Sequence, residues 1–182
     1  MPPRLRPPRS PSRPGGASAI DALVRNNRGY AAKFAGADLP AAPSRGVAVV
    51  TCMDARMLPS RLFGLAEGDA HVIRNAGGSA REALRSLVVS QQLLGTREVA
   101  VVKHTDCGML GLRNRDLHEK IRHELGADAH EIDFLPFSSL EQAVLDDLAF
   151  LRSSPLVAPQ VRVRGFVYDV RSGLVSEVGA QP

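Results

Sequence analysis

Three short apolar runs stand out in the pattern of hydrophobic and polar positions along the chain. They are GVAVVT at 46–51, AHVIRN at 70–75 and EVAVVKH at 98–104. Each run is strand-sized and carries β-branched residues, which favour extended backbone. Apolar runs of this kind are typical of parallel strands that are covered on both faces. The pattern therefore predicts three buried strands of one parallel sheet.

Segments with helical signals separate these strands. Ser79 with Glu82, and Ser138 with Glu141, have the spacing of a capping box, in which a serine begins a helix. Helices are predicted at 20–36, 59–65, 79–94, 116–125 and 138–152. The segments VRVRGFVYDV and LVSEV, separated by a short turn, predict a hairpin at the sheet edge. The predicted fold class is α/β: a mostly parallel central sheet flanked by helices, with a C-terminal antiparallel edge hairpin.

The first 19 residues differ in composition from the rest of the chain. They are rich in proline, serine and glycine, and they contain no acidic residue beside Arg4, Arg6, Arg9 and Arg13. Such a segment buries too little apolar surface to offset the entropy lost on ordering. We therefore predict a disordered tail at 1–19 and a single folded domain at 20–182.

Charge and hydropathy narrow the classes of partner. The formal net charge is +4, but removing the tail's arginines leaves residues 20–182 close to neutral, so a nucleic-acid-binding surface is not expected. No apolar run approaches the roughly 18 residues that span a bilayer, and the tail lacks the apolar region of a secretory signal. We expect a cytoplasmic protein that binds neither nucleic acid nor a membrane.

Two reactive clusters directly follow two of the predicted strands. Cys52 comes after the first strand, and His104 and Cys107 come after the third. The carboxyl ends of parallel strands are where ligands bind in an open α/β sheet. Two thiolates and one imidazole suit Zn²⁺, and a set of three protein ligands leaves a fourth position open, as catalytic zinc sites do. A pair of buried thiols or a redox pair is the alternative.

Asp54 and Arg56 lie close to the first cysteine along the chain. Two thiolates neutralise the charge of a zinc ion, so activation of its water needs help from neighbouring groups. A carboxylate at Asp54 could accept a hydrogen bond from that water, or it could enter as a fourth metal ligand and close the site. The planar guanidinium of Arg56 is suited to hold this carboxylate in a bidentate grip.

Three motifs together resemble the active-site motifs of β-class carbonic anhydrases. They are CMDAR at 52–56, GDAHVIRNAGG at 68–78 and HTDCG at 104–108. The resemblance extends over roughly residues 20–180, and it implies a parallel-centred α/β sheet with catalytic sites at a dimer interface. It also implies that the N-terminal helix reaches over the partner subunit and that Asp54 and Arg56 form the family's Asp–Arg dyad. A homodimer or a dimer of dimers is expected.

The resemblance also implies roles for individual residues. Cys52, His104 and Cys107 match the family's zinc ligands, while Ala76 and Gly108 match positions beside the substrate. The implied activity is reversible hydration of carbon dioxide to bicarbonate and a proton by a zinc-bound hydroxide that Asp54 orients. Two alternatives stay open: hydrolysis of carbonyl sulfide or carbon disulfide on the same fold, and a non-catalytic zinc-binding protein.

Other residues near these motifs are open to further interpretation. His71 is either a pocket residue that relays protons or a half-buried histidine with local partners. Asp106 is either a catalytic base or a carboxylate that is solvated in the loop or accepts a hydrogen bond beside the ligands, and Lys103 is expected to face away from the metal by strand alternation. The Gly77–Gly78 pair predicts a tight turn that brings backbone near the substrate pocket.

Overall fold

A computed structural model describes residues 18–179 of the chain. These residues fall into two compact units, residues 18–39 and residues 40–179. The predicted disordered tail lies outside the described residues as far as residue 17, whereas Ser18 and Ala19 begin a helix. That residues 20–182 form a single domain stays a prediction. No helix in the described part of the chain is both long and apolar enough to cross a membrane.

The smaller unit contains helix α1 (Ala19–Ala31), which Ser18 and Asp21 begin with a reciprocal capping box. The larger unit contains five strands and four α-helices among its described residues. In chain order they are β1 (Val47–Cys52), α2 (Pro59–Leu62), β2 (Ala70–Asn75), α3 (Ala80–Leu94), β3 (Glu98–His104), α4 (Asn114–Leu125), α5 (Leu140–Ser153), β4 (Arg162–Tyr168) and β5 (Val175–Val178). A short 3₁₀ turn, Ala76–Gly78, joins β2 to α3.

The five strands form one sheet in the order β2-β1-β3-β4-β5. The first four run parallel, and β5 is antiparallel to β4. The predicted fold class, including the antiparallel hairpin, is therefore confirmed. β1 and β3 are direct neighbours, with Thr51 opposite Val102, so Cys52 and His104 both lie at the carboxyl edge of the sheet.

Both faces of β1 and β3 are covered, which explains why their sequences are apolar throughout. On one face, Val50 and Val101 belong to a buried cluster with residues of α3 and α5. On the other, Val49 and Val102 pack with Met57. Successive side chains of a strand point to opposite faces, so neighbouring residues at the end of β3 enter different environments.

Helix ends agree with the sequence prediction except in detail. Ser79 caps α3 and Gly95 ends it in the left-handed conformation, both as predicted. The prediction of Ser138 as the cap of α5 is wrong, because Ser139 caps that helix. The backbone N–H of Phe137 donates to the Met109 oxygen and its backbone oxygen accepts from the Gly111 N–H, which keeps the chain extended at this point. Helix α1 ends at Ala31, earlier than the predicted stop near Gly36.

Candidate functional site

The structure brings Cys52, His104 and Cys107 together at the carboxyl edge of the sheet. Cys52 ends β1, His104 ends β3, and Cys107 follows in the next loop. Their sulfur and nitrogen atoms all lie within 4.8 Å of one another, and the three residues are 5%, 0% and 2% exposed. Neither cysteine forms a disulfide. These three side chains are the group in the described residues best placed to hold a metal ion.

The hydrogen bonds of His104 leave one ring nitrogen free for a ligand. Its Nδ1 lies 2.9 Å from the carbonyl oxygen of Thr105, and since a carbonyl only accepts, the proton must be on Nδ1. In the neutral ring the lone pair is then on Nε2, and this buried atom has no hydrogen-bond partner among the residues that the structure describes. Buried polar atoms without a partner are costly. A metal ion bonded to Nε2 would remove that cost, and it is a common arrangement for ligating histidines.

The two thiols influence each other's protonation strongly. The Cys107 thiol donates to the sulfur of Cys52, which lowers the pKa of Cys52 to about 4 despite burial. Stabilising that thiolate raises the pKa of Cys107 well above its ordinary value, and burial adds to the effect. Burial alone would lower the pKa of His104, but the neighbouring Cys52 thiolate outweighs it and the net shift is upward. The pair therefore favours one thiolate, the form that binds a cation.

Asp54 lies beside this group in the grip of Arg56. The Arg56 guanidinium donates from Nε to Oδ1 at 3.0 Å and from Nη2 to Oδ2 at 2.7 Å, and its backbone N–H donates to Oδ1 at 2.9 Å. These bonds lower the pKa of Asp54 to about 2. Asp54 Oδ2 is 3.8 Å from Nε2 of His104, so the carboxylate is adjacent to the three ligand atoms but is not one of that group.

Arg56 also links the loop after β1, which contains Asp54, to the loop between His104 and Cys107. Its Nη1 donates to Oδ2 of Asp106 at 2.6 Å, and its Nη2 donates to the backbone oxygen of Asp106 at 2.9 Å. Asp106 has a φ of 57°, a left-handed conformation that residues other than glycine seldom adopt. Of the interpretations of Asp106, the structure agrees with the acceptor beside the ligands.

Sequence reasoning missed one cation that holds the same loop. Arg74, near the end of β2, donates from Nε to the backbone oxygen of Cys52 at 3.0 Å and from Nη2 to that of Asp54 at 2.8 Å. The signal was present, since an arginine at the carboxyl end of a buried strand lies next to the neighbouring strand's loop. The hydrogen-bond partners of Arg74 could not be predicted from the sequence, because a guanidinium can donate to either carboxylates or carbonyls.

The predicted pocket residues divide into two groups. Ala76 and Gly77 lie in the turn after β2, and the backbone of Gly77 contributes to the lowered pKa of Cys52. Gly108 follows Cys107 directly and is exposed. That Ala76, Gly77 and Gly108 line a substrate pocket stays a prediction.

His71 is not brought to the cluster. His71 lies in β2 and pairs with Ala48 of β1. It stands four residues before Asn75, which pairs with Cys52 at the carboxyl end of the sheet. Its Nδ1 lies 2.7 Å from the hydroxyl of Ser90, and its Nε2 lies 3.2 Å from the carbonyl oxygen of Ala41. Of its two interpretations, this placement agrees with the half-buried histidine that has local partners.

Comparisons with known proteins agree with this geometry. A family model described as carbonic anhydrase matches residues 47–175. A β-carbonic anhydrase 1 from Mycobacterium tuberculosis is 41% identical over 164 residues, covering 88% of this chain and 98% of the relative. The crystal structure of a carbonic anhydrase from Streptococcus mutans superposes with a TM-score of 0.86 at 42% identity, covering 90% of this chain and 99% of that one.

A second kind of relative is named for a different activity. A carbon disulfide hydrolase from an Acidianus strain is 31% identical over 153 residues, covering 71% of this chain and 75% of the relative. Its identity and coverage are both lower than those of the mycobacterial protein. With the family match over most of the sheet and two thiols, an imidazole and an Asp–Arg pair in place, the chain belongs to the β-class carbonic anhydrase family.

Proposed function

We propose that this protein is a zinc-dependent carbonate dehydratase, which hydrates carbon dioxide reversibly to bicarbonate and a proton. The observation that supports it most is the buried group of Cys52, His104 and Cys107, with the Arg56-bound carboxylate of Asp54 beside it. The residues present fit a metal ion, because Nε2 of His104 lacks a hydrogen-bond partner within the described part of the chain and two sulfurs with one imidazole are preferred by zinc. A bound zinc ion would supply the Lewis acidity that makes water nucleophilic near neutral pH.

Asp54 is proposed to orient the attacking water. With a pKa of about 2, its carboxylate stays ionised at physiological pH, so it accepts a hydrogen bond and does not act as a proton donor. Arg56 holds both carboxylate oxygens, which fixes the direction from which Asp54 can accept. The same grip opposes movement of Asp54 into the metal's coordination sphere, so the arrangement favours a site with an open fourth position.

Backbone is proposed to form the wall against which carbon dioxide lies. Gly77 and Gly108 present no side chain, and Ala76 presents only a methyl group, so a small linear molecule can approach the ligands closely. A cleft with apolar walls excludes competing water and strengthens the interactions inside it. Proton release to buffer does not use His71, since both of its ring nitrogens have other partners.

Hydrolysis of carbon disulfide or carbonyl sulfide is the second candidate. The observation that favours it is the likeness to carbon disulfide hydrolases, and all three substrates are linear molecules that water attacks at carbon. Side-by-side assays with the three substrates on one preparation distinguish the candidates. We expect turnover of carbon dioxide to be the fastest, and faster turnover of carbon disulfide or carbonyl sulfide would assign the second activity.

The central experiment is stopped-flow hydration of carbon dioxide with zinc content measured on the same samples. Cys52→Ser should lose both zinc and activity, because a hydroxyl is a poor substitute for thiolate. Asp54→Ala should keep zinc and lose most turnover, whereas the exposed Asp128→Ala, far along the chain from both motifs, should match the parent. Parental turnover in Asp54→Ala would refute the role of the dyad, and parental zinc in Cys52→Ser would refute the ligand set.

Assembly and compartment complete the proposal. None of the residues of α1 is buried, and Ile20, Leu23 and Val24 are apolar residues at helical spacing, which favours a helix that packs on a second copy. We propose a homodimer, measurable by light scattering during size-exclusion chromatography.

A cytoplasmic location is proposed because both cysteines are free to act as ligands, and reduced thiols are typical of that compartment.

A further inference from the structure

Lys103, which precedes His104 at the end of β3, is buried, although lysine is almost never fully buried unless it is paired. Lys103 is 4% exposed, and it points to the face opposite His104 because strand residues alternate. Its Nζ lies 2.8 Å from Oδ2 of Asp147 on α5. That carboxylate oxygen is buried and has no other partner among the described residues.

The same ammonium group holds the turn that lines the site. Lys103 Nζ donates to the backbone oxygen of Gly77 at 3.1 Å and lies 3.4 Å from that of Gly78. The Phe137 ring lies 5.2 Å from this nitrogen. Two carbonyls and one carboxylate match the three N–H donors of an ammonium group.

Asn75 closes the two ends of the turn, because its side chain accepts from the Ser79 N–H at 2.6 Å and donates to the Ser79 backbone oxygen at 2.9 Å, but the glycines between them contribute no side chain. Gly77 and Gly78 have φ values of 69° and 63°, and glycine loses more conformational freedom on ordering than any other residue. A side chain would not fit, since a Cβ on Gly78 would lie 3.0 Å from the backbone nitrogen of Cys52. Beyond the turn lies a cavity of about 360 Å³ that Gly77, Lys103 and Asp147 help to line.

We propose that the buried Lys103–Asp147 pair positions the Gly77–Gly78 turn against Cys52. Buried ion pairs contribute little net stability compared with apolar residues of similar volume, so stability is a weak explanation for this one. The pair instead connects α5 to the turn, and the turn's backbone packs against Cys52, whose backbone nitrogen would lie 3.0 Å from a Cβ on Gly78. Lys103 is thus a positioning residue that acts through backbone and touches neither metal nor substrate.

The double variant Lys103→Met/Asp147→Leu tests this, because it replaces both charges together and leaves neither one buried alone. In metal-free protein, we expect the Gly77 and Gly78 amide hydrogens to exchange on the order of 10-fold faster than in the parent, since the turn opens more often. Val163→Ala, a substitution in the same apolar core, is the control for a general loss of stability. Equal exchange at the turn in the double variant and in this control would overturn the proposal.

A second readout uses activity and so rests on the proposed function. In the metal-loaded double variant we expect unchanged metal content, a changed visible spectrum after cobalt substitution, and kcat/KM lowered about 10-fold, since small displacements near reacting atoms are costly. If the parent lacks carbon dioxide hydration, the proposed function fails while the exchange experiment still decides the positioning role. Should the double variant not fold, the isosteric Asp147→Asn takes its place, and turn exchange equal to that of Val163→Ala overturns the proposal.

Discussion

Arg56 binds both the side chain and the backbone of Asp106, a residue fifty positions later in the chain, at 2.6 and 2.9 Å. The same guanidinium holds Asp54 through Nε and Nη2. One side chain thereby fixes the two loops that supply the candidate metal ligands. The hydrogen bonds to both carboxylates raise the pKa of Arg56 above its ordinary value, so the guanidinium itself stays charged throughout the physiological pH range.

Replacing Arg56 with lysine should separate the two loops without removing the charge. A lysine ammonium is a point charge and cannot form the planar fork that Arg56 makes with Asp54. We expect kcat/KM for carbon dioxide to fall about 10- to 100-fold, because the orienting carboxylate becomes mobile. Stopped-flow assays measure this, and zinc content should stay at the parental value. Parental kcat/KM in Arg56→Lys would show that the fork is dispensable.

Metal binding to the stripped protein should release protons in a pH-dependent number. Cys52, with a pKa of about 4, is already ionised at neutral pH and contributes none. Cys107 is protonated, and His104 is protonated below its raised pKa. We expect about two protons to be released below the pKa of His104 and about one above it, since ligands must lose their protons to bind.

Isothermal titration calorimetry in buffers of different ionisation enthalpy counts these protons. The dependence on pH has a definite sign, because the release decreases as the pH rises through the pKa of His104. A count of about three at pH 6 would mean that Cys52 is protonated in the stripped protein. That result would contradict the hydrogen bond from Cys107 to Cys52.

The Asp54–Arg56 pair should stabilise the fold in a pH-dependent manner. The native pKa of Asp54 is about 2, below its ordinary value of 3.8. A lowered carboxylate pKa contributes stability that is fully present above the unfolded-state pKa and is lost as the pH falls through the native one. Because 46% of the Arg56 side chain is exposed, solvent screening limits the contribution to about 1 kcal/mol.

Urea unfolding of metal-free parent and Asp54→Asn, at a series of pH values, tests this contribution. The difference in free energy of unfolding should be constant above about pH 5 and should shrink from there toward pH 2. Asp128→Asn provides a comparison, since its carboxylate is exposed and paired with His130. A difference for Asp54→Asn that is independent of pH would show that its carboxylate does not titrate with folding.

Gly78→Ala should damage the site through backbone contact. Its Cβ would meet the backbone of Thr51 and Cys52 at 3.0 Å, in a residue with φ +63°. We expect a loss of about 2–4 kcal/mol in stability, which combines the strain of a positive φ with overpacking. Metal affinity should fall as well, because the displaced backbone carries Cys52.

Gly95→Ala is the matched control for that substitution. Gly95 has φ +73° but nothing within 4 Å of its Cβ position, so only the backbone strain of about 1 kcal/mol is expected. Urea unfolding and competitive zinc titration of both variants separate strain from contact. Equal losses in the two variants would show that the approach of Gly78 to Cys52 costs nothing.

Much of the fold was predictable because its signals are local. Continuous β-branched runs predicted β1 and β3, and Ser79 and Gly95 correctly predicted the bounds of α3. The cap of α5 was predicted one residue early. The reason is that Phe137 is held in extended backbone by hydrogen bonds with a loop that is distant in the sequence. Local propensity cannot register a contact of that kind.

The sequence by itself determined which residues meet at the candidate metal site. Cys52 and His104 each end a buried strand, and parallel neighbouring strands place their carboxyl ends side by side. Only the tertiary structure decided the partners of the surrounding charges: Arg56 with Asp106, Arg74 with backbone oxygens, Lys103 with Asp147. Periodicity specifies the face on which a side chain lies, but the atom it meets there depends on how distant segments pack.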